Sequence, residues 1–108
     1  MRRGEVWWAE LPSPVGRRPV VLISRDAAYK VRTSVTVGLV TRTRRGIPVE
    51  VPLGPEDGLP EECVANLDNI LTIPKARLTQ QITTLSSQKM ADVDRAIIFA
   101  LGLNAPSS

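Results

Sequence analysis

Val6-Trp7-Trp8-Ala9-Glu10-Leu11 and Arg18-Pro19-Val20-Val21-Leu22-Ile23-Ser24, separated by Pro12-Ser13-Pro14-Val15-Gly16, decide the fold class. The first run is aromatic and apolar and is entered through Gly4, which is the composition of a strand. The second is a continuous apolar run, which predicts a strand buried on both faces; Pro19 stands near its start, where proline is tolerated. The prolines, serine and glycine between them predict a loop. The chain therefore opens as a β protein.

The pattern continues downstream. Asp26 to Arg32 reads as a polar connection, and Ser34-Val35-Thr36-Val37-Gly38-Leu39-Val40-Thr41 is β-branched and partly alternating, a third strand. Arg42 to Gly46 forms a basic loop. Ile47-Pro48-Val49-Glu50-Val51 alternates as a fourth strand, which Pro48 marks as an edge or an end. Gly54 to Pro60 is an acidic turn, Cys63 to Leu67 and Asn69 to Ile73 are two short strands, and Gln81 to Leu85 is a last one.

The C-terminal end differs in kind. From Met90, the residues Val93, Ala96, Ile97, Ala100 and Leu101 recur at helical spacing and form a core stripe, with Ile98 and Phe99 partly outside it. Ser86 suits the N-cap, Leu85 and Met90 suit a hydrophobic staple, and Gly102 suits the left-handed residue that ends a helix, with Pro106 beyond. A helix is expected over about 87–101. The fold class is mainly β (α+β): one domain over residues 1–108, closed by a C-terminal helix. Short twisted strands must hide their edges, so a small barrel is expected.

At 43% hydrophobic and 23% charged, the 108 residues have globular composition. The lone Cys63 excludes an internal disulfide and reads as an inert buried residue in a reducing, cytoplasmic setting. No apolar run approaches the length of a membrane span, and Glu5 and Glu10 interrupt any secretory h-region. Charge is unevenly distributed. Residues 1–45 carry ten Arg/Lys against Glu5, Glu10 and Asp26, a net +7; residues 46–108 carry four against eight acids, a net −4. Such asymmetry suggests a basic face for a polyanion, against the plainer reading of arginines scattered for solubility.

Histidine is absent, which removes the commonest general acid/base, the His-dependent triads and the usual zinc ligands. Two spots remain: Gly16-Arg17-Arg18-Pro19 at a loop-to-strand junction, and Thr41-Arg42-Thr43-Arg44-Arg45 at a strand end. If strands two and three are neighbours, both lie on one rim. RNA suits such a site. Its 2′-OH is a built-in nucleophile, so cleavage needs in-line positioning and charge stabilisation at phosphorus, which an Arg fork and a Thr hydroxyl can give. DNA lacks that hydroxyl. By spacing alone, these are equally ordinary surface residues.

Arg3-Gly4-Glu5-Val6-Trp7-Trp8-Ala9-Glu10-Leu11, Arg17-Arg18-Pro19-Val20-Val21-Leu22-Ile23, Val37-Gly38-Leu39-Val40-Thr41, and Leu67-Asp68-Asn69-Ile70-Leu71-Thr72-Ile73 with Arg77-Leu78 together resemble the MazF/PemK family of toxin–antitoxin endoribonucleases, also called mRNA interferases. The resemblance runs in order along about the whole chain. It implies an SH3-like barrel of the CcdB/Kid/MazF type and a homodimer. It further implies metal-independent, cofactor-free cleavage of single-stranded RNA (mRNA, with tRNA and rRNA as other target classes) and inhibition by a cognate MazE-like antitoxin. The family's catalytic arginine falls on Arg18 and its threonine on Thr41. Arg18 would stabilise charge on phosphorus, being too reluctant a proton donor for an easy base; Thr41 would orient phosphate or nucleophile. The acceptor of the 2′-OH proton stays open.

Two departures are visible. Many members carry a longer first loop with Ser, Glu and Gln before Arg-Pro, so any contact or base from that acidic residue is missing or replaced here. The stretch after Thr41 is also more basic than usual, which favours additional phosphate contacts.

Arg17, Arg42, Thr43, Arg44 and Arg45 are candidate RNA contacts, or alternatively a solvated turn and neighbour. Asp68 and Asn69 either read a base edge or make turn hydrogen bonds. Of Trp7 and Trp8, at least one belongs to the core, and the other can stack a base or meet a partner. Ile98 and Phe99 can mark a partner surface. Two alternatives are a non-enzymatic, CcdB-like gyrase-binding toxin, against which the absence of an aromatic near the C-terminus argues, and a plain nucleic-acid-binding barrel.

Overall fold

Apolar residues at alternate positions place two cores on the two faces of one sheet. In the computed structural model, which describes residues 1–103, β1 (Glu5–Glu10), β2 (Arg17–Leu22), β3 (Ser34–Thr41), β4 (Glu50–Leu53), β5 (Cys63–Pro74) and β6 (Leu78–Thr84) form an antiparallel sheet in the order β4-β5-β3-β2-β1-β6. The sheet is curled, and this SH3-like barrel stays open between its edge strands β4 and β6.

Val20, Val21 and Leu22 show why β2 reads as a continuous apolar run. Val21 joins Val6, Val40, Leu53, Leu67 and Val93 in one core; Val20 and Leu22 join Ala9, Tyr29, Val35 and Val37 in the other. The first core is covered by α2 (Ser87–Leu101), where Val93 and Ala96 are buried. Ser86 caps that helix by accepting from the Lys89 N–H at 3.1 Å. Gly102, at φ 66°, ends it: its N–H donates to the Phe99 carbonyl, and that of Leu103 to the Ile98 carbonyl, the paired bonds of a Schellman motif. Leu85 is buried and Met90 packs against the same core, as the staple requires. Leu101, expected in the core stripe, is 58% exposed; it follows Ile98 and Phe99 onto the open side. Pro106 lies outside the described residues.

Four other sequence expectations need correction. The polar connection contains one helical turn, α1 (Ala28–Val31), which buries Tyr29 and lets its hydroxyl donate to the Ser24 carbonyl. The fourth strand starts at Glu50, not Ile47, because the Glu50 N–H donates to the Ile47 carbonyl at 3.0 Å and turns the chain at 48–49. The Glu50 carboxylate takes the N–H groups of Arg45 and Gly46. The last strand begins three residues early, at Leu78.

Cys63–Leu67 and Asn69–Ile73 are a single long strand, β5, interrupted by a bulge. Leu39 pairs with Asn66 whereas its neighbour Gly38 pairs with Ile70, leaving Leu67, Asp68 and Asn69 without partners on β3. Leu67 folds inward and is fully buried. A Cβ on Gly38 would stand 2.9 Å from Leu67 Cδ1, so a side chain there would compete with Leu67 for space.

Candidate functional site

Because β2 and β3 are neighbours, the start of one and the end of the other fall on the same rim. A cleft of about 430 Å³ opens there, with Trp8, Arg17, Arg18, Thr41, Arg42 and Thr43 in its walls and Leu59, Glu61 and Cys63 facing them. A second hollow of about 340 Å³ continues from it past Leu39, Arg45, Asn66 and Asn69. Val15, Arg18, Thr41 and Thr43 line both. Volumes of this size suit a small ligand or a segment of a larger one.

The arginines are not equivalent. Glu10, directly opposite on β1, takes the Nε of Arg17 at 3.1 Å, and Arg42 lies 3.6 Å from Glu61. Among the described residues no ion pair involves Arg18 or Arg45. Arg18 is half-buried and donates from Nε to the Val15 carbonyl at 3.3 Å. This bond fixes the guanidinium plane and leaves its terminal nitrogens available for an anion.

Thr41 Oγ1 accepts from the N–H of Thr43 at 3.2 Å. With an acceptor site so occupied, its O–H proton is available as a donor. The arrangement therefore offers a fixed guanidinium and a hydroxyl donor in one groove, which is a means of binding a tetrahedral anion. Two loop amides are unavailable for that task, because Glu50 holds the N–H groups of Arg45 and Gly46.

Of the sequence candidates, Arg17, Arg18, Thr41, Arg42, Thr43, Arg45 and Asn69 come together in this groove; Arg44 and Asp68 line neither hollow. Asn66 was not anticipated. It is the one buried polar residue among those described, and its side-chain oxygen accepts from the Asp68 N–H at 2.9 Å. The only signal was an amide inside the apolar run Val64-Ala65-Asn66-Leu67. Cys63, expected to be buried, is only partly so. Burial pushes its thiol up to about 11, with nearby Glu61 and Glu62 adding to the shift, so it is protonated near neutrality. Among the described residues, no three His, Cys, Asp or Glu side chains gather in a way that could hold a metal ion, and no helix is long and apolar enough to cross a membrane.

A curled six-stranded sheet with a basic groove at the rim of β2 and β3, and one C-terminal helix packed on its core, defines a class of small half-barrels. Within it, the sequence model of the PemK-like, MazF-like toxin of type II toxin–antitoxin systems matches residues 2–101, and the chain belongs to that family. It is similar to the probable endoribonuclease MazF5 of Mycobacterium tuberculosis, at 41% identity over 92% of this chain and 87% of that one. The probable endoribonuclease MazF2 of the same species is 38% identical over 94% and 99% of the two chains. Among solved structures, an endoribonuclease in complex with its cognate antitoxin from a mycobacterial species superimposes with a TM-score of 0.88 at 33% identity, covering 98% of this chain and 99% of that one.

Proposed function

We propose that this chain is the endoribonuclease toxin of a toxin–antitoxin pair, cutting single-stranded RNA in the groove between β2 and β3. The observation that carries the reading is Arg18: held by the Val15 carbonyl, unpaired by any carboxylate among the described residues, and lining the same groove as Thr41. In the reaction, the RNA 2′-oxygen attacks the adjacent phosphorus and the bond to the 5′-oxygen breaks. This leaves a 2′,3′-cyclic phosphate and a 5′-OH. Arg18 stabilises the negative charge that builds on the phosphoryl oxygens, and the Thr41 hydroxyl donates to one of them.

Arg45, its side chain without a carboxylate partner among the described residues, holds a flanking phosphate, and Arg42, Thr43 and Asn69 line the path beside it. Cleavage proceeds without metal or other cofactor, because the charge on phosphorus is met by protein donors. The chain works as a homodimer in the cytoplasm and is inhibited by a cognate antitoxin; the mycobacterial relative is solved in complex with its own antitoxin.

Purified protein incubated with RNA and with DNA, EDTA present throughout, tests this. RNA cut to 2′,3′-cyclic phosphate and 5′-OH ends, with DNA intact, is the expected result; RNA left intact across varied sequences would sink the proposal. Arg18→Ala should abolish cutting while preserving the dimer, measured by size-exclusion chromatography. Wild-type activity in that variant would show that the phosphate site lies elsewhere.

A further inference from the structure

Trp7 and Trp8 leave β1 on opposite sides. Trp7 packs against the core around Ala9 and Val37, and its indole N–H donates to Glu5 at 2.8 Å. Trp8 instead lines the groove, with the Arg17 guanidinium lying over its ring at 4.1 Å from the centroid. The register explains the stack. Glu10 stands directly opposite Arg17 on β1, and Trp8 stands diagonally, two residues away, on the same side of the pair. The carboxylate takes the Nε at 3.1 Å while the ring supports the plane.

This arrangement changes what Arg17 is suited to do. Its charge is largely answered by Glu10, so it is a poorer phosphate ligand than its unpaired neighbour Arg18. What remains to be offered is a flat, polarisable, preoriented surface about half exposed at the groove. Splayed RNA bases stack on aromatic rings and on guanidinium planes alike.

We infer that Glu10, Arg17 and Trp8 form a base-stacking platform, on whose outer guanidinium face rests the nucleobase adjoining the phosphate held by Arg18. This rests on the RNA-cutting reading above and assigns how the substrate is seated. Trp8 and Glu10 are positioning residues that act through Arg17. Stacking is sequence-tolerant in itself, so the platform fixes where the base lies rather than naming it.

The test is a binding cycle. A short single-stranded RNA, made uncleavable by 2′-fluoro substitution throughout, is compared with the same oligonucleotide made abasic at one position at a time, by fluorescence anisotropy. Arg17→Lys keeps the charge but removes the plane. It should weaken binding of the intact oligonucleotide roughly 5- to 150-fold, the range for one stacked base, and should have no effect when one particular base is already missing. Trp8→Phe should retain most of the affinity, and Trp8→Ala should lose it as Arg17→Lys does.

Equal loss for Arg17→Lys with intact and all abasic oligonucleotides would overturn the platform, as would wild-type affinity in Arg17→Lys. Either result could stand beside normal RNA cutting. Conversely, base-dependent binding by a protein that leaves cleavable RNA intact would sink the nuclease reading and keep the platform.

Discussion

Gly38→Ala should destabilise the fold through a single contact. A Cβ at this position would approach Leu67 Cδ1 to 2.9 Å, at least ~0.6 Å inside the ~3.5 Å at which carbon atoms begin to attract optimally. Leu67 is fully buried and shares its core with Val40, Leu53 and Val93, so it cannot swing into solvent. Overpacking of this kind costs about 1–3 kcal/mol. Alanine recovers roughly 0.5–1 kcal/mol over glycine within a strand because it has less backbone freedom to lose. The clash wins, leaving a net loss of about 0.5–2 kcal/mol. Thermal melts followed by circular dichroism, at one fixed protein concentration, should fall by roughly 2–9 °C. Leu67→Ala alone should cost about 2–5 kcal/mol, and the double variant should be more stable than the sum of the two losses, because the added methyl partly fills the vacated space. A Gly38→Ala protein as stable as wild type, or losses that simply add, would refute the steric account of the bulge.

Two further outcomes follow from the groove. With its thiol pushed up to about 11 by burial, Cys63 should react with iodoacetamide at a rate that climbs about tenfold per pH unit from pH 8 to 10; a plateau near pH 9 would show an ordinary, solvated thiol. Arg45→Ala should shrink the salt dependence of binding to an uncleavable single strand by about 0.7 in the log–log slope, one phosphate contact's share. Arg44→Ala, outside both hollows, should leave the slope nearly unchanged, and the opposite ranking would mean that the loop meets RNA by its other side.

Much of the fold was legible where local and tertiary preferences agree. The C-terminal helix occupies 87–101 as its periodicity and its two caps predict, because Ser86 and Gly102 act on their own backbone neighbourhood. β1 to β3 were equally plain. Legibility failed where one distant contact decides. Asp68-Asn69 has turn chemistry and split β5 in two on paper, whereas pairing with β3 continues on both sides of the bulge. Ile47-Pro48 alternates like a strand, but the Glu50 N–H closes a turn onto the Ile47 carbonyl. For the site, Arg18 and Thr41 were visible as a guanidinium and a hydroxyl at strand ends, and strand adjacency then brought them into one groove. Asn66 was hidden because an amide in an apolar strand looks like core. Nothing in the spelling of Arg44-Arg45 tells which of two adjacent arginines turns toward the groove.

The Glu50 clamp at the root of the basic loop has an evolutionary side. By holding the N–H groups of Arg45 and Gly46, it anchors the loop through its backbone, whatever side chains lie ahead of it. Residues 42–44 are exposed and are not counted in either core. They form a cassette in a fixed frame, where charge and shape can change one residue at a time while the barrel beneath stays as it is.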